Sequence, residues 1–457
     1  MKSHQFYQPI TSAGHAIPLT LFTSTDYAEG PVISDHEHRM LSGMQFGAKL
    51  GEVALIWDKQ GSLSKVYIGA GDATDASAMA SAVLKLPPGV YQIVNTVSEH
   101  AVLMWALAQY HFVHYQKVLP LPRILAINPN YLSKVETKVD AIFLVRDLIN
   151  MPANILNPEA LAKIAMDMAE TLHAHCQVWV GDELLTHHYP AIHAVGRAAH
   201  SAPRLIHLAW GDASHPHVTL VGKGVCFDSG GLDLKNSSGM RLMKKDMGGA
   251  AHVLGLAKWL IREKLPIYLQ VLIPAVENAV SEQAYRPGDV LIMRNGMSVE
   301  IENTDAEGRL ILADALTKAC EQPPEILIDF ATLTGAARVA VGTDIAAMFS
   351  NNDDLAAEVK SYGVRCADPI WQLPLHAGYQ SLFESNIADL MNASSSAYAG
   401  AIVAALFLQY FVKPEIDWLH FDIMAWNVSS KAGKPEGGEA MGLLAVGQYL
   451  IDRYQAG

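Results

Sequence analysis

Three short blocks of this 457-residue chain hold the side chains best suited to chemistry. The first, Gly222-Lys223-Gly224-Val225-Cys226-Phe227-Asp228-Ser229-Gly230-Gly231, follows an apolar run and carries a lysine and an aspartate in a glycine-rich loop. Lys235 follows it. Asp246 then precedes Met247-Gly248-Gly249-Ala250-Ala251, and Asn303-Thr304-Asp305-Ala306-Glu307-Gly308-Arg309-Leu310 opens a further helical pattern. Asp228, Asp246, Asp305 and Glu307 are carboxylates at strand-to-helix junctions. Brought together they repel, and burial makes each charge costlier. Divalent cations relieve such crowding, and two ions about 3.5–4 Å apart can share bridging carboxylates. A lysine beside them either ligates as a neutral amine or stays protonated opposite a developing oxyanion.

Each signal has a plainer reading when taken alone. Asp246 before a helix suits an N-cap. Asp305 and Glu307 suit a helix dipole, and Lys235 suits solvent. The Gly-Lys-Gly run resembles a phosphate loop, but GxxxxGK[ST] is absent. No HExxH occurs, so the 19 histidines offer no zincin motif, and His252 on an apolar helix reads as structural.

The elements around these blocks must deliver them to one place. Residues 1–137 read as a small N-terminal α/β domain, with strands at 53–57, 66–68, 92–95 and 124–127, a helix at 76–86 and a turn at 119–123. A helical pattern from Val139 ends before Pro152, so residues 138–157 read as a connecting helix and turn. Residues 158–457 then alternate. Strands are expected at 178–180, 204–210, 218–221, 267–273, 326–330 and 419–423, and helices at 161–174, 247–262, 310–320, 399–411 and 440–453. This predicts an α/β fold, the larger C-terminal domain having a mixed central sheet covered by helices. In such sheets ligands bind beyond the carboxyl ends of the strands.

Composition narrows the class. The chain is 50% hydrophobic, which excludes wholesale disorder. Its 33 basic against 46 acidic residues give a net charge of −13, a poor match for nucleic acid or anionic lipid. The four cysteines are scattered without a CxxC pair, the N-terminus lacks an apolar signal core, and the apolar run 401–411 is about half the roughly 20 residues that span a bilayer. A reducing cytoplasm, and no membrane partner, is the expectation.

Taken together the blocks resemble the leucyl (cytosol) aminopeptidase family of dinuclear-metal exopeptidases. Asn303–Leu310 matches its signature, and GKGVCFDSGGLDLK (222–235), KKDMGGAA (244–251), AYRPGDV (284–290), RDLINMPAN (146–154), ATLTGA (331–336) and PEGGEAMGLL (435–444) follow in family order. Cys226 and the LDLK tail depart from the commonest pattern without touching a ligand position. The resemblance implies that Asp228 and Glu307 bridge two metals, Lys223 and Asp246 complete one site, and Asp305 completes the other. It implies that Lys235 polarises the scissile carbonyl. Arg309, with Gly308 and Leu333, would hold a bicarbonate serving as general base. Met243, Asn303, Thr332 and Gly335 would line the pocket for the first side chain. The implied metals are Mn²⁺ or Zn²⁺, with Mg²⁺ or Co²⁺ as alternatives. The implied substrates are short peptides with Leu-like or other apolar N-terminal residues, and the implied assembly is a homohexamer. Competing readings are a non-catalytic or DNA-binding homologue and a two-metal phosphoesterase. Residues 1–137 hold 9 basic and 10 acidic residues without a basic stripe, which gives DNA binding little support.

Overall fold

The computed structural model describes residues 2–30, 33–115 and 120–455. Two compact units emerge: Met1–Phe143 with Val428–Glu436, and Leu144–Asn427 with Gly437–Gly457. The first therefore takes in a short segment from far along the chain.

In the first unit, β1 (Tyr7–Pro9), β2 (Ile17–Thr23), β3 (Val53–Trp57), β4 (Leu63–Gly71), β5 (Gly89–Ile93) and β6 (Arg123–Ile127) form a sheet in the order β1-β6-β5-β2-β4-β3. Only the β3–β4 pair is antiparallel. The strand expected at 92–95 lies earlier, because Asn95 ends the ladder with its side chain. Its Oδ1 accepts from Leu21 N–H at 3.0 Å and its Nδ2 donates to Leu21 O at 3.1 Å. The expected helix 76–86 is Asp75–Ala82, capped by the Thr74 side chain and followed by one tighter turn. The turn expected at 119–123 begins on residue 119, outside the described residues. The helix read from Val139 starts earlier, at Pro129, and runs to Asn150.

The second unit is built on β7 (His175–Val180), β8 (Arg204–Trp210), β9 (His217–Gly222), β10 (Gly224–Asp228) and β11 (Tyr268–Asn278). Two short strands, β12 (Val290–Ile292) and β13 (Ser298–Glu300), precede β14 (Ile326–Ala331), β15 (Ala346–Ser350) and β16 (Ile370–Gln372). Then come β17 (Leu390–Met391), β18 (Asp417–Asp422) and the pair β19 (Trp426–Asn427) and β20 (Gly437–Gly438). The main sheet runs β16-β15-β18-β14-β9-β11-β8-β7, with β10 pairing to β11, and mixes parallel and antiparallel neighbours. Every residue of β14 is buried, as expected of a central parallel strand with both faces covered.

Helices Glu307–Ala319 and Gly400–Gln409 share one core with Leu205, Val221, Leu272 and Leu327 of the sheet. On the other face, helix Gly248–Arg262 packs so closely that a Cβ on Gly249 would fall 2.0 Å from Phe330 O and 2.7 Å from Lys223 N. Only glycine permits that approach. Helix Gly400–Gln409, apolar nearly all round, is covered within its own unit: Ala401 and Ala405 join one core cluster, Val403, Leu406 and Phe407 another. Among the described residues no helix is long and apolar enough to cross a membrane.

Candidate metal centre

Strands β9 and β10 are consecutive stretches broken only at Lys223. Its N–H donates to Phe330 O at 3.0 Å, and its carbonyl accepts from Ala250 N–H at 2.8 Å. The break turns the side chain inward, where Nζ donates to Thr332 O at 3.1 Å. Nζ also lies 2.7 Å from Asp246 Oδ2 and 2.9 Å from Glu307 Oε1. Gly308 leaves room for this lysine: a Cβ there would fall 2.4 Å from Lys223 Cε.

Asp228 ends β10. Its Oδ1 accepts from Gly230 N–H and from Asn278 Nδ2, both at 2.9 Å, and its Oδ2 is 2.7 Å from Lys235 Nζ. Lys235 also pairs with Asp305, so it is not the solvated lysine of the plain reading. Nor is Asp246 an N-cap. It sits in the tight turn Met243–Met247, where its Oδ1 accepts from Thr332 Oγ1 at 2.8 Å, and the following helix has no side-chain cap. Glu307 is the first residue of its helix and is buried, while Asp305 stays partly exposed. One carboxylate oxygen each from Asp228, Asp305 and Glu307 lie within 4.8 Å of one another.

Electrostatics follow from the crowding. Burial first, then the charge of Asp228, pushes the Glu307 carboxyl up to about 8 and that of Asp305 up to about 6. Burial alone would depress Lys223, but in the absence of a cation Asp246, Glu307 and Asp228 outweigh it and raise the amine. Lys235 is raised in the same way by Asp228 and Asp305. Burial lowers Arg309 to about 10 and the neighbouring Lys245 to about 8.

These groups line one cavity of about 490 Å³. Met243, Asn303, Arg309, Thr332, Leu333 and Gly335 also line it, while Gly308 packs against the lysine stem instead. Arg309 Nη1 donates to Asn392 O at 2.7 Å, and its buried Nε has no hydrogen-bond partner. The Leu333 N–H is occupied by Asp422 Oδ1 at 3.0 Å. Asp422 Oδ2 also takes the Thr334 hydroxyl at 2.6 Å and so holds the turn entering helix Gly335–Val341.

Several supports escaped the sequence reading. Asn278 Nδ2 and the Tyr285 hydroxyl both donate to Thr304 O, at 3.1 and 2.6 Å, and Asn392 Nδ2 donates to Asn303 O at 2.7 Å. Tyr285 sits inside AYRPGDV, which offered a signal; Asn392 and Asn278 had none. His252 is structural, as read: Nδ1 lies 2.6 Å from Gly248 O and Met441 N–H donates to Nε2 at 2.9 Å.

The donors fit a cation. Four carboxylates face two lysines, leaving negative charge in excess, and the buried Asp246 Oδ2 and Glu307 Oε1 share the single ammonium of Lys223. An all-oxygen cluster with one lysine at each end suits a hard or borderline divalent ion.

A peptidase with a mixed α/β fold accounts for this sheet and this cluster. The model of the "Cytosol aminopeptidase family, catalytic domain" matches residues 143–446, and that of the "M17 aminopeptidase, N-terminal domain" matches residues 26–126. The chain belongs to the cytosol aminopeptidase family, as the motifs implied. A probable cytosol aminopeptidase of Rickettsia canadensis is 34% identical over 447 residues, 89% of each chain. One of Syntrophotalea carbinolica is 44% identical over 315 residues, and the match spans 68% of this chain but only 62% of that relative. Among solved structures, the cytosol aminopeptidase of Coxiella burnetii superposes with a TM-score of 0.94 at 42% identity, covering 98% of this chain and 99% of that one. The bottromycin maturation enzyme BotP, in complex with Mn, gives 0.86 at 32% identity, covering 96% and 99%.

Proposed function

We propose that this chain is a metal-dependent aminopeptidase that removes N-terminal residues from short peptides. The observation that carries the reading is the convergence of Asp228, Asp305 and Glu307 between two lysines of different exposure. Asp228 and Glu307 would bridge two ions, Lys223 and Asp246 would complete one site, and Asp305 the other. When bound, the ions supply a Lewis acid and a water acidic enough to attack a carbonyl near neutral pH. Mn²⁺ or Zn²⁺ suits these donors best, with Mg²⁺ or Co²⁺ as alternatives.

The remaining work falls to the chain's own groups. Lys235, the more open lysine, stays protonated and stabilises the oxyanion as the carbonyl is attacked. Lys223 is fixed from both ends of its backbone and so presents one atom to one place. Arg309, beside Gly308 and Leu333, would keep a bicarbonate near the attacking water as general base. Its partnerless Nε supports an anion there. Met243, Thr332 and Gly335, with Asn303 at the rim, would receive the first side chain, and the methionine favours apolar, Leu-like residues. A cytoplasmic homohexamer, without membrane or nucleic-acid partners, completes the proposal.

Dialysis against chelator followed by Mn²⁺ or Zn²⁺ should abolish and restore release of leucine from leucinamide or a dipeptide. Unchanged turnover in the chelated protein would overturn the reading. Light scattering should give six times the chain mass; a fully active monomer would remove the assembly from the proposal.

A further inference from the structure

One buried cation on the cavity wall has no task in the metal centre. Lys245 is 5% exposed and lines the cavity, yet among the described residues its side chain makes no hydrogen bond or ion pair. Its Nζ is not among the sealed polar atoms, so it opens on the cavity. The carboxylates nearby are already engaged. Lys223 takes Asp246 and Glu307, Lys235 takes Asp228 and Asp305, and Asp422 is held by Leu333 and Thr334. A second cation, Arg338, lines the same cavity and reaches Met424 Sδ at 3.6 Å. A desolvated ammonium that faces a cavity without an ion-pair partner favours an anion arriving from outside.

The cavity also holds Met243, Thr332 and Met424. Their apolar surfaces suit methylene groups, and the ammonium of Lys245 suits a carboxylate at the end of them. We propose that Lys245, seconded by Arg338, makes this subsite a receptor for an acidic first side chain, glutamate foremost, in addition to apolar ones. The inference rests on the aminopeptidase reading for its substrate, but the binding of the acid itself does not.

The test compares glutamyl, glutaminyl and leucyl 4-nitroanilides on the metal-loaded full chain. Glutamyl and glutaminyl groups share a shape and differ in charge, so kcat/KM should favour glutamyl by at least about tenfold, the range of a charge-assisted hydrogen bond. In Lys245→Met the glutamyl-to-glutaminyl and glutamyl-to-leucyl ratios should each fall by at least about tenfold. Calorimetric titration with free L-glutamate and L-glutamine should show the same preference, lost in the variant. Leucyl turnover without a glutamyl preference in the wild type would overturn the subsite and leave the aminopeptidase intact. So would ratios that Lys245→Met does not change. No turnover of any anilide, with glutamate binding lost in the variant, would overturn the aminopeptidase and keep the acid subsite. If the variant does not fold, the wild-type glutamyl-to-glutaminyl ratio decides alone.

Discussion

Replacing Gly308 by alanine pits a local rule against the packing of the candidate metal centre. Gly308 is the second residue of helix Glu307–Ala319, and glycine inside a helix is normally worse than alanine by about 0.5–1 kcal/mol. Local propensity therefore predicts a gain. Packing predicts the reverse. The new Cβ would lie 2.4 Å from Lys223 Cε and 2.7 Å from its Nζ. Carbon atoms rest about 3.5–4.0 Å apart, so the lysine end must retreat by about 1 Å or more. It has little room, being 2% exposed and held at 3.1 Å by Thr332 O. A retreat stretches the 2.7 and 2.9 Å contacts to Asp246 and Glu307 beyond close pairing. Breaking a buried ion pair costs about 3–5 kcal/mol. Set against the helical gain, the expected net loss is about 2–4 kcal/mol. Urea unfolding of metal-free wild type and Gly308→Ala measures it, and metal counting on the refilled proteins should show one ion weakened. A variant as stable as wild type, or more stable, with full metal content would refute the cradle.

Asp246→Ala and Glu307→Ala should weaken metal binding, whereas Lys235→Ala should retain two ions and lose about 10²–10³ in turnover, read by metal analysis beside kinetics. An empty site in Lys235→Ala would make that lysine a ligand. Arg146 and Glu439, both buried, pair through Nη2 at 3.1 Å, so Arg146→Met should destabilise by about 3–5 kcal/mol in chemical denaturation. His252, lowered by burial to about 4 from 6.5, is neutral when folded. Its contribution is fully present above about pH 6.5 and is lost as pH falls toward 4, up to about 3 kcal/mol. Urea midpoints of His252→Gln should therefore fall less than wild type between pH 7 and 5.

The carboxylate–lysine cluster was legible because its members sit in runs whose types and spacing are unusual together: Lys223, Asp228 and Lys235 fall within 13 residues. What contradicted the plain readings was tertiary. Asp246 fails as a cap because Thr332, 86 positions away, takes its carboxylate. Asn278 and Asn392 were invisible for the same reason: both hydrogen-bond to the turn around Thr304, which only folding brings near. Long buried elements such as Ile326–Ala331 were readable from their apolar runs. The three-residue strands Tyr7–Pro9 and Ile370–Gln372 are too short to show a period, and Asn95 shows how a polar side chain ends a ladder before the apolar pattern does.

The assignment of Val428–Glu436 to the N-terminal unit bears on how this protein is made. A domain encoded first is usually free to fold first, while the rest of the chain is still being synthesised. Here the first domain lacks a piece until residue 436 has been made, after the whole stretch Leu144–Asn427 of the second unit. In place, that segment sets Gly433 so tightly against Met104 that a Cβ would fall 2.7 Å from the sulfur. The leading domain must wait with an unfilled seam beside Met104 until Leu144–Asn427 has been made. A fragment cut after Phe143 would carry that seam permanently, exposing apolar surface that the intact chain covers.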